Sequence, residues 1–421
     1  MTIRDVHHDW KLGSGPPLIR PHSQAKHRVL RAYLERYVSV LTARIQQDAF
    51  RLTLIDGFAG GGRYLDALTK EERPGSPLVM LEAMEEAAEG AQKIRMKPFH
   101  LDVRYIFIEK DRESFDYLRQ VLAESKYAPL IDDTIQLIHG EFTGEVSKVV
   151  ASVKKRGRAG RAIFVLDQFG YSAVPLPTIR DILATLENAE IILTFATDSL
   201  IDYLGENEES QKILSKVGIA LPSKDIRTAK AEREWRRAIQ FALHRQIPEK
   251  TDAKFYTPFF IRSADAHRDF WLVHLSGHFR ARDVMVGLHW QHGTSFAHYG
   301  GSGLRMLGYD QRYDADWTSQ RMLPGFFFDQ TALVSSQEEL LEQLPERIFE
   351  FDNGVPFSEL FSKLTNDCPV TAEIMKGVLR DLAKQGIIKV KDKTGAKSRR
   401  LSIQHDSDII IPSRQTRLFQ G

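Results

Sequence analysis

Cysteine is almost absent from this chain. Cys368 stands alone, which excludes an internal disulfide and argues against a cysteine-built zinc site. No apolar run reaches the roughly 18 residues that a membrane span needs. The first twenty residues also lack the apolar core of a signal peptide, so a cytoplasmic protein without membrane contact is expected. No charge of one sign dominates: the net charge of +2 is close to neutral, and any nucleic-acid contact must come from local basic patches. A phosphate-binding loop is missing as well, because no Lys-Ser or Lys-Thr follows the glycines near residue 60, and no GxGxxG opens a helix directly there. His274 and His278 have a ligand-like spacing but fall on a strand and its turn, so no metal site is expected.

What is present is ordinary in amount and specific in order. At 421 residues with 42% hydrophobic and 27% charged positions, the chain has room for two or three globular domains. The stretch RLTLIDGFAGGGRY (51–64) joins a short apolar run to a glycine-rich turn. A buried parallel strand breaking into a loop has this form, and glycines there let backbone approach a ligand closely. The acid-x-Phe-Ala-Gly-x-Gly pattern resembles the first motif of class I S-adenosylmethionine (SAM) methyltransferases. That resemblance implies SAM contacts from Asp56, Gly57, Phe58, Ala59, Gly60 and Gly62. The alternative is a tight strand-to-loop turn and nothing more.

Upstream, Val29, Tyr33, Tyr37, Val40 and Leu41 recur at helical spacing, with Ser23 expected as N-cap. Lys26 and His27 would then lie in the first turns, either as a solvated face or in contact with RNA or a reacting group. Downstream, PLVMLEAMEEAA (77–88) is expected to be helical with Pro77 at its first position. RYIFIEKD (104–111) reads as a second strand ending in Glu109, an acid suited to accepting from two ribose hydroxyls. It comes about 50 residues after the first strand, not the about 20 of a short βαβ unit, so the connection is enlarged. TIQLIHGEF (134–142) is expected as a third strand, and the methyltransferase resemblance implies adenine contacts from Glu141 and Phe142 at its end. A fourth strand ends in Asp167-Gln168-Phe169-Gly170-Tyr171. Base N-methyltransferases carry an acid or Asn and then Pro-Pro-aromatic at this place. The polar oxygen accepts from the exocyclic amine while the aromatic stacks on a flipped base. Asp167, Phe169 and Tyr171 keep an acid and aromatics but not the prolines, which leaves the target atom open. EIILTFATDSL (190–200) and RDFWLVHLSGH (268–278) complete the expected strands. A charged helical insertion spans 205–250, either a solvated face or a basic flap.

The tail reads differently. PFSELFSKL (356–364) and TAEIMKGVLRDLAKQGII (371–388) form two short helices, with Thr371 as N-cap and Gly386 as stop. A hairpin of IIKV and LSI turning at Thr394-Gly395 follows. Helix–turn–helix and hairpin make a winged-helix pattern. Its wing is basic, with Lys389, Lys391, Lys393, Lys397, Arg399 and Arg400 against Asp392, which suits nucleic acid, although many such domains bind proteins.

Taken together, HSQAKHRVLRAYL, LTLIDGFAGGGRY, GSPLVMLEAM, IFIEKD and FVLDQFGYSAVPL resemble the three-Cys-motif partner family (TcmP) over roughly residues 10–300. The resemblance implies a methyltransferase-like Rossmann fold and a partner protein with a three-cysteine motif encoded nearby. The family pattern resembles Asp-Pro-Phe-Gly where this chain has Asp167-Gln168-Phe169-Gly170. A looser likeness to adenine-N6 RNA methyltransferases involves His22, Lys26 and FAGGGRY. The expectation is thus an α/β, Rossmann-like class I methyltransferase sheet with a helical insertion and a C-terminal winged-helix-like domain. Its divisions would be an N-terminal segment and helix at 1–50, the sheet domain at 51–330 and the winged helix at 354–421. The expected function is SAM-dependent methylation of a base in RNA or DNA; the alternative is a non-catalytic or regulatory nucleic-acid-binding protein of the same fold.

Overall fold

The computed structural model describes residues 10–157, 160–168, 172–195, 208–220, 235–262, 269–292, 297–298, 302–304, 326–394 and 401–413. The chain divides into two compact units, residues 1–254 with 258–277, and residues 255–257 with 278–421.

In the first unit, α1 (Pro21–Leu41) opens with proline in its first turn and Arg20 as an extended N-cap. Ser23, expected as the cap, instead lies buried inside the helix. Proline sets the start because its missing N–H is one the first turn leaves unbonded anyway. Val29, Leu30, Tyr33, Leu34, Tyr37 and Val38 form the buried stripe. β1 (Ala49–Asp56) is buried without a break from Leu52 to Asp56, as a strand covered on both faces must be. It pairs in parallel with β4 (His100–Glu109) and with β6 (Arg161–Leu166). β5 (Ile135–His139) adds in parallel to β4, and β7 (Ala189–Phe195) in parallel to β6. β9 (Asp269–Ser276) runs antiparallel to β7, and β8 (Phe255–Arg262) lies beyond it. The order β5-β4-β1-β6-β7-β9-β8 is a Rossmann-like methyltransferase arrangement with β9 reversed. The chain leaves β1 toward β4 on one side and returns to β6 on the other. The crevice beyond the carboxyl ends of β1 and β6 is therefore the switch point where such sheets bind ligands.

The enlarged connection after β1 holds a hairpin that short-range patterning does not reveal, β2 (Arg63–Leu65) against β3 (Glu72–Pro74). Asp66 braces its turn by accepting from the Leu68 and Thr69 amides. α2 (Ser76–Lys93), α3 (Arg112–Ala123), α4 (Phe142–Lys155) and α5 (Leu176–Thr185) follow strands in turn. The third strand stops at His139, and Phe142 opens α4 instead of ending the strand. α6 (Glu208–Val217) and α7 (Trp235–Thr251) supply the insertion. Its Lys224, Arg227, Lys230 and Arg233 lie outside the described residues. Among the described residues no helix is long and apolar enough to cross a membrane.

The second unit is a winged helix. It contains α8 (Phe279–Gln291), the short antiparallel pair β10 (Ala297–His298) and β11 (Phe326–Phe327), and α9 (Gln330–Phe349). These are followed by β12 (Val355–Pro356), α10 (Phe357–Leu364), α11 (Ala372–Lys384), β13 (Ile388–Lys391) and β14 (Ile409–Pro412). The small sheet has the order β12-β14-β13. Thr371 caps α11 through the Ile374 amide at 3.3 Å, and Gly386 ends it at φ +75°, as glycine at a helix end permits. The second wing strand is Ile409–Pro412, not the LSI segment at 401–403. Ile410 pairs with Val390 and is fully buried. Asp408 sets the turn before it by accepting from the Gln404 and His405 amides. Leu304, Leu340, Leu344 and Ile348 share one core with Phe357, Leu360 and Leu379, so this unit begins well before the boundary expected at 354.

Candidate functional site

Three acids end three adjacent strands around the glycine loop. Asp56 is the last residue of β1, Glu109 the last of β4, and Asp167 follows β6 directly. The loop is tied to the flanking strands: Gly57 N–H donates to the Val165 carbonyl at 2.9 Å, and Ala59 N–H to Ile108 at 3.0 Å. Gly60 and Gly62 have φ of +57° and +78°, a region that side chains disfavour.

Asp56 is fully buried. Its Oδ1 accepts from the Phe58 amide at 3.0 Å, and its Oδ2 has no hydrogen-bond partner among the described residues. Burial raises its pKa to about 7, against the lowering effect of Ser76 and the Phe58 amide; the nearby Asp167 and Glu109 charges push it further up. Glu109 accepts from Gly60 N–H through Oε2 and from Asp111 N–H through Oε1, both at 2.7 Å. Its pKa is also raised, chiefly by burial.

Lys26 reaches Asp167 across 141 positions of sequence, its Nζ 2.5 and 2.6 Å from the two carboxylate oxygens. The side chains are only 13% and 29% exposed. Burial alone would raise the Asp167 carboxyl. The Lys26 charge and hydrogen bond, with the Thr194 hydroxyl, outweigh it and hold the group below its ordinary value. His27 beside them is lowered to about 4, first by exclusion of solvent, with Asp167 opposing and Lys26 adding. A small cleft here is lined by Lys26, Ser76, Asp167, Thr194 and apolar side chains from α1 and the strands.

Two aromatics meet at the glycine loop. Trp10 is buried, donates its indole N–H to the Arg63 carbonyl at 2.8 Å, and meets Tyr64 edge-on at 5.1 Å. A Cβ added at Gly61 would lie 2.3 Å from the Trp10 ring, and one at Gly60 2.8 Å away. The loop thus owes part of its glycine requirement to Trp10. Nothing but a lone tryptophan in an irregular lead-in marks that contact in the sequence. Tyr64 is shifted upward by burial and by the Asp167, Asp56 and Glu109 charges.

Asp56, Gly57, Phe58, Ala59, Gly60, Gly62, Glu109, Asp167 and Lys26 are therefore brought together. Glu141 is exposed at the entry to α4 and pairs with Lys110 at 3.3 Å. Phe142 is buried, its ring against Phe58 and Phe164 and within 2.8 Å of where a Gly57 Cβ would stand. It shapes the loop from beneath and presents no open ring face. Gln168 is buried and its Oε1 accepts from the Val174 amide at 2.9 Å, so it braces the loop after β6. Phe169 and Tyr171 lie outside the described residues, as do Lys397, Arg399 and Arg400; Lys391 and Lys393 are at the base of the wing. Among the described residues no group of three His, Cys, Asp or Glu side chains could hold a metal.

The profile of the GMT-like wHTH domain matches residues 308–395. No curated relative matches the sequence. Among solved structures, a Legionella pneumophila protein of family DUF519 is 11% identical at a TM-score of 0.33, covering 62% of this chain and 90% of its own. TYW2 from P. horikoshii, solved with MeSAdo, is 11% identical at 0.25, covering 62% and 64%. The plantazolicin methyltransferase BamL, solved with SAH, is 8% identical at 0.28, covering 61% and 88%. At these scores it is the strand order of the chain itself that assigns the fold.

Proposed function

We propose that this chain is a SAM-dependent methyltransferase acting on a base in nucleic acid. The observation that carries the reading is the convergence of Asp56, Glu109 and the Lys26–Asp167 pair around a positive-φ glycine loop at the switch point of the sheet. The residues fit the cofactor. Asp56 offers a buried carboxylate oxygen without a partner among the described residues, suited to an ammonium group. Glu109 spends one bond on each oxygen, which leaves lone pairs for ribose hydroxyls. When bound, SAM supplies a methyl group on a sulfonium sulfur that a nucleophile can displace.

Asp167 then acts as an acceptor and not as a base. A carboxylate held below its ordinary range takes a proton poorly near neutrality, but it can accept from an amine N–H and turn the nitrogen lone pair toward the methyl. As the N–C bond forms the S–C bond would break, S-adenosylhomocysteine would leave, and the surplus proton of the methylated nitrogen would pass to solvent. Lys26 keeps that carboxylate ionised and fixes its plane; positioning and fixed charge supply the rate enhancement. A partner with a three-cysteine motif joins the proposal on the family resemblance alone.

Calorimetry with purified chain is expected to show SAM binding that Glu109→Ala weakens, since charge-assisted bonds contribute about 1.5–3 kcal/mol. Labelled SAM should pass its methyl to RNA or DNA, and Asp167→Ala should abolish transfer while leaving SAM affinity intact. No binding at millimolar SAM would overturn the reading. Binding without transfer to RNA, DNA or lysate would favour a non-catalytic nucleic-acid-binding role.

A further inference from the structure

A second polar cluster lies deeper beneath the same helix. Glu190, the second residue of β7, is buried in a strand with no exposed position. Tyr33 Oη donates to its Oε2. His274 Nε2 stands 3.1 Å from both Glu190 Oε2 and Tyr33 Oη. Because the tyrosine proton goes to the carboxylate, Nε2 of His274 carries the hydrogen that completes the triangle. His274 Nδ1 is buried without a hydrogen-bond partner among the described residues. Tyr37 on α1 and Arg161 at the start of β6 are the other titratable groups felt here.

The cluster stands in line with the candidate site. Tyr33 follows Lys26 by seven residues, two turns or about 10.5 Å along the same helical stripe. Between them Val29 and Leu30 line the cleft with Ile192 and Leu272. On β7 the residues Glu190, Ile192 and Thr194 alternate onto one face, and Ile192 lies opposite His274 and Thr194 opposite Leu272 on β9. Three layers result: Lys26, Asp167 and Thr194 at the mouth, aliphatic side chains below, and Tyr33, Glu190 and His274 at the base.

We propose that the Tyr33–Glu190–His274 cluster is a positioning device that fixes α1 on β7 and β9 and so delivers the Lys26 ammonium to Asp167. An aliphatic stripe alone tolerates small slips and rotations of a helix, because apolar contact is not directional. Hydrogen bonds to one carboxylate oxygen are directional, and they join α1, β7 and β9, three of the elements that line the cleft. A buried ionic group is weak evidence for stability, and the unpartnered Nδ1 makes this one a poor choice for stability alone. Orientation is the use that remains. The kinetic consequence rests on the methyl-transfer reading; the geometric one does not.

The test uses the full chain and three readouts: the labelling rate of the Lys26 amine by an amine-reactive ester, followed by mass spectrometry; SAM affinity; and kcat against KM. Tyr33→Phe keeps the ring and removes the donor. It should speed Lys26 labelling several-fold and lower kcat about tenfold or more, as misplacement of a reacting group does, with SAM affinity unchanged. His274→Gln, which keeps an N–H donor, should restore most of the Lys26 protection that His274→Leu loses. Glu190→Gln carries the same readouts if Tyr33→Phe does not fold. Lower melting temperature with Lys26 labelling at the wild-type rate would overturn the proposal and leave the cluster a packing feature. Should the unaltered chain transfer no methyl group, the functional reading falls while the labelling series still decides the positioning role.

Discussion

Among the described residues Lys26 is held by the Asp167 carboxylate, and Asp167 would be left in a largely dry site without it. Lys26→Met should therefore destabilise the chain by about 1–3 kcal/mol, the cost of a buried polar group left short of partners, as read by urea denaturation. The Asp167 carboxyl should rise, because burial then acts with only the Thr194 hydroxyl and the His27 charge left to oppose it. His27 and Asp56 give the same site opposite pH slopes. His27 titrates at about 4 when folded against 6.5 when unfolded. The folded chain binds fewer protons in that window, so this residue makes stability rise with pH. Asp56 titrates at about 7 against 3.8, so the folded chain binds more protons and stability falls as pH rises through that window. Over the shared range the two slopes oppose each other. His27→Asn should make the stability profile fall more steeply from pH 4 to 6.5, and Asp56→Asn should make it rise, in urea titrations across those pH values. Neither shift was legible in the sequence, since each arises from neighbours brought in by the fold. That acids would stand at the strand ends was legible, because each terminates an apolar run.

The glycine loop shows where reading an element from its residues succeeds and stops. The run of glycines announced a close approach to the backbone, and two of them, Gly60 and Gly62, have positive φ. What approaches Gly61 is Trp10, a residue about 50 positions away. Gly61→Ala would push a methyl into that ring, with an overpacking cost of about 1–3 kcal/mol. In a Trp10→Ala background the same substitution should cost much less, because the space is then open. A double-mutant cycle by chemical denaturation measures this coupling, and simple additivity would mean that Trp10 does not constrain the loop. Elsewhere, local chemistry decided legibility. Thr371 and Gly386 mark the ends of α11 because capping depends on a few neighbouring residues. Phe142 looked like the end of a strand, yet Phe142, Val146, Val149 and Val153 are the buried positions of α4 and recur at helical spacing. The β2–β3 hairpin stayed hidden because three-residue strands carry too little alternation to detect.

At the scale of the chain, the long-range pairings were out of reach. Tyr33 meets Glu190 and His274 across 157 and 241 positions, and no periodicity encodes such a meeting. The winged unit was legible as a pattern but not as a charge distribution, and that distribution decides its test. On the helix α11, Lys376 is engaged by Asp406 and Lys384 by Asp381, each at 2.9 Å. The strand β13 and the start of the wing present Lys389, Lys391 and Lys393 at alternate positions, opposite the buried Ile388 and Val390. Lys389 and Lys391 share one face of the strand's two-residue repeat, and Lys393 lies in the turn beyond it. If the unit holds nucleic acid, phosphate contact should therefore come from this strand and wing more than from the helix. Each neutralised phosphate contributes about 0.9 to the slope of log affinity against log salt. Replacing Lys389, Lys391 and Lys393 together by Ala should then flatten that slope by about 2–3 for duplex DNA, measured by fluorescence anisotropy over a salt series. Lys376→Ala should leave the slope nearly unchanged, because its charge is already met by Asp406. A slope that ignores the triple substitution would remove nucleic acid from this face and make it a surface for protein docking.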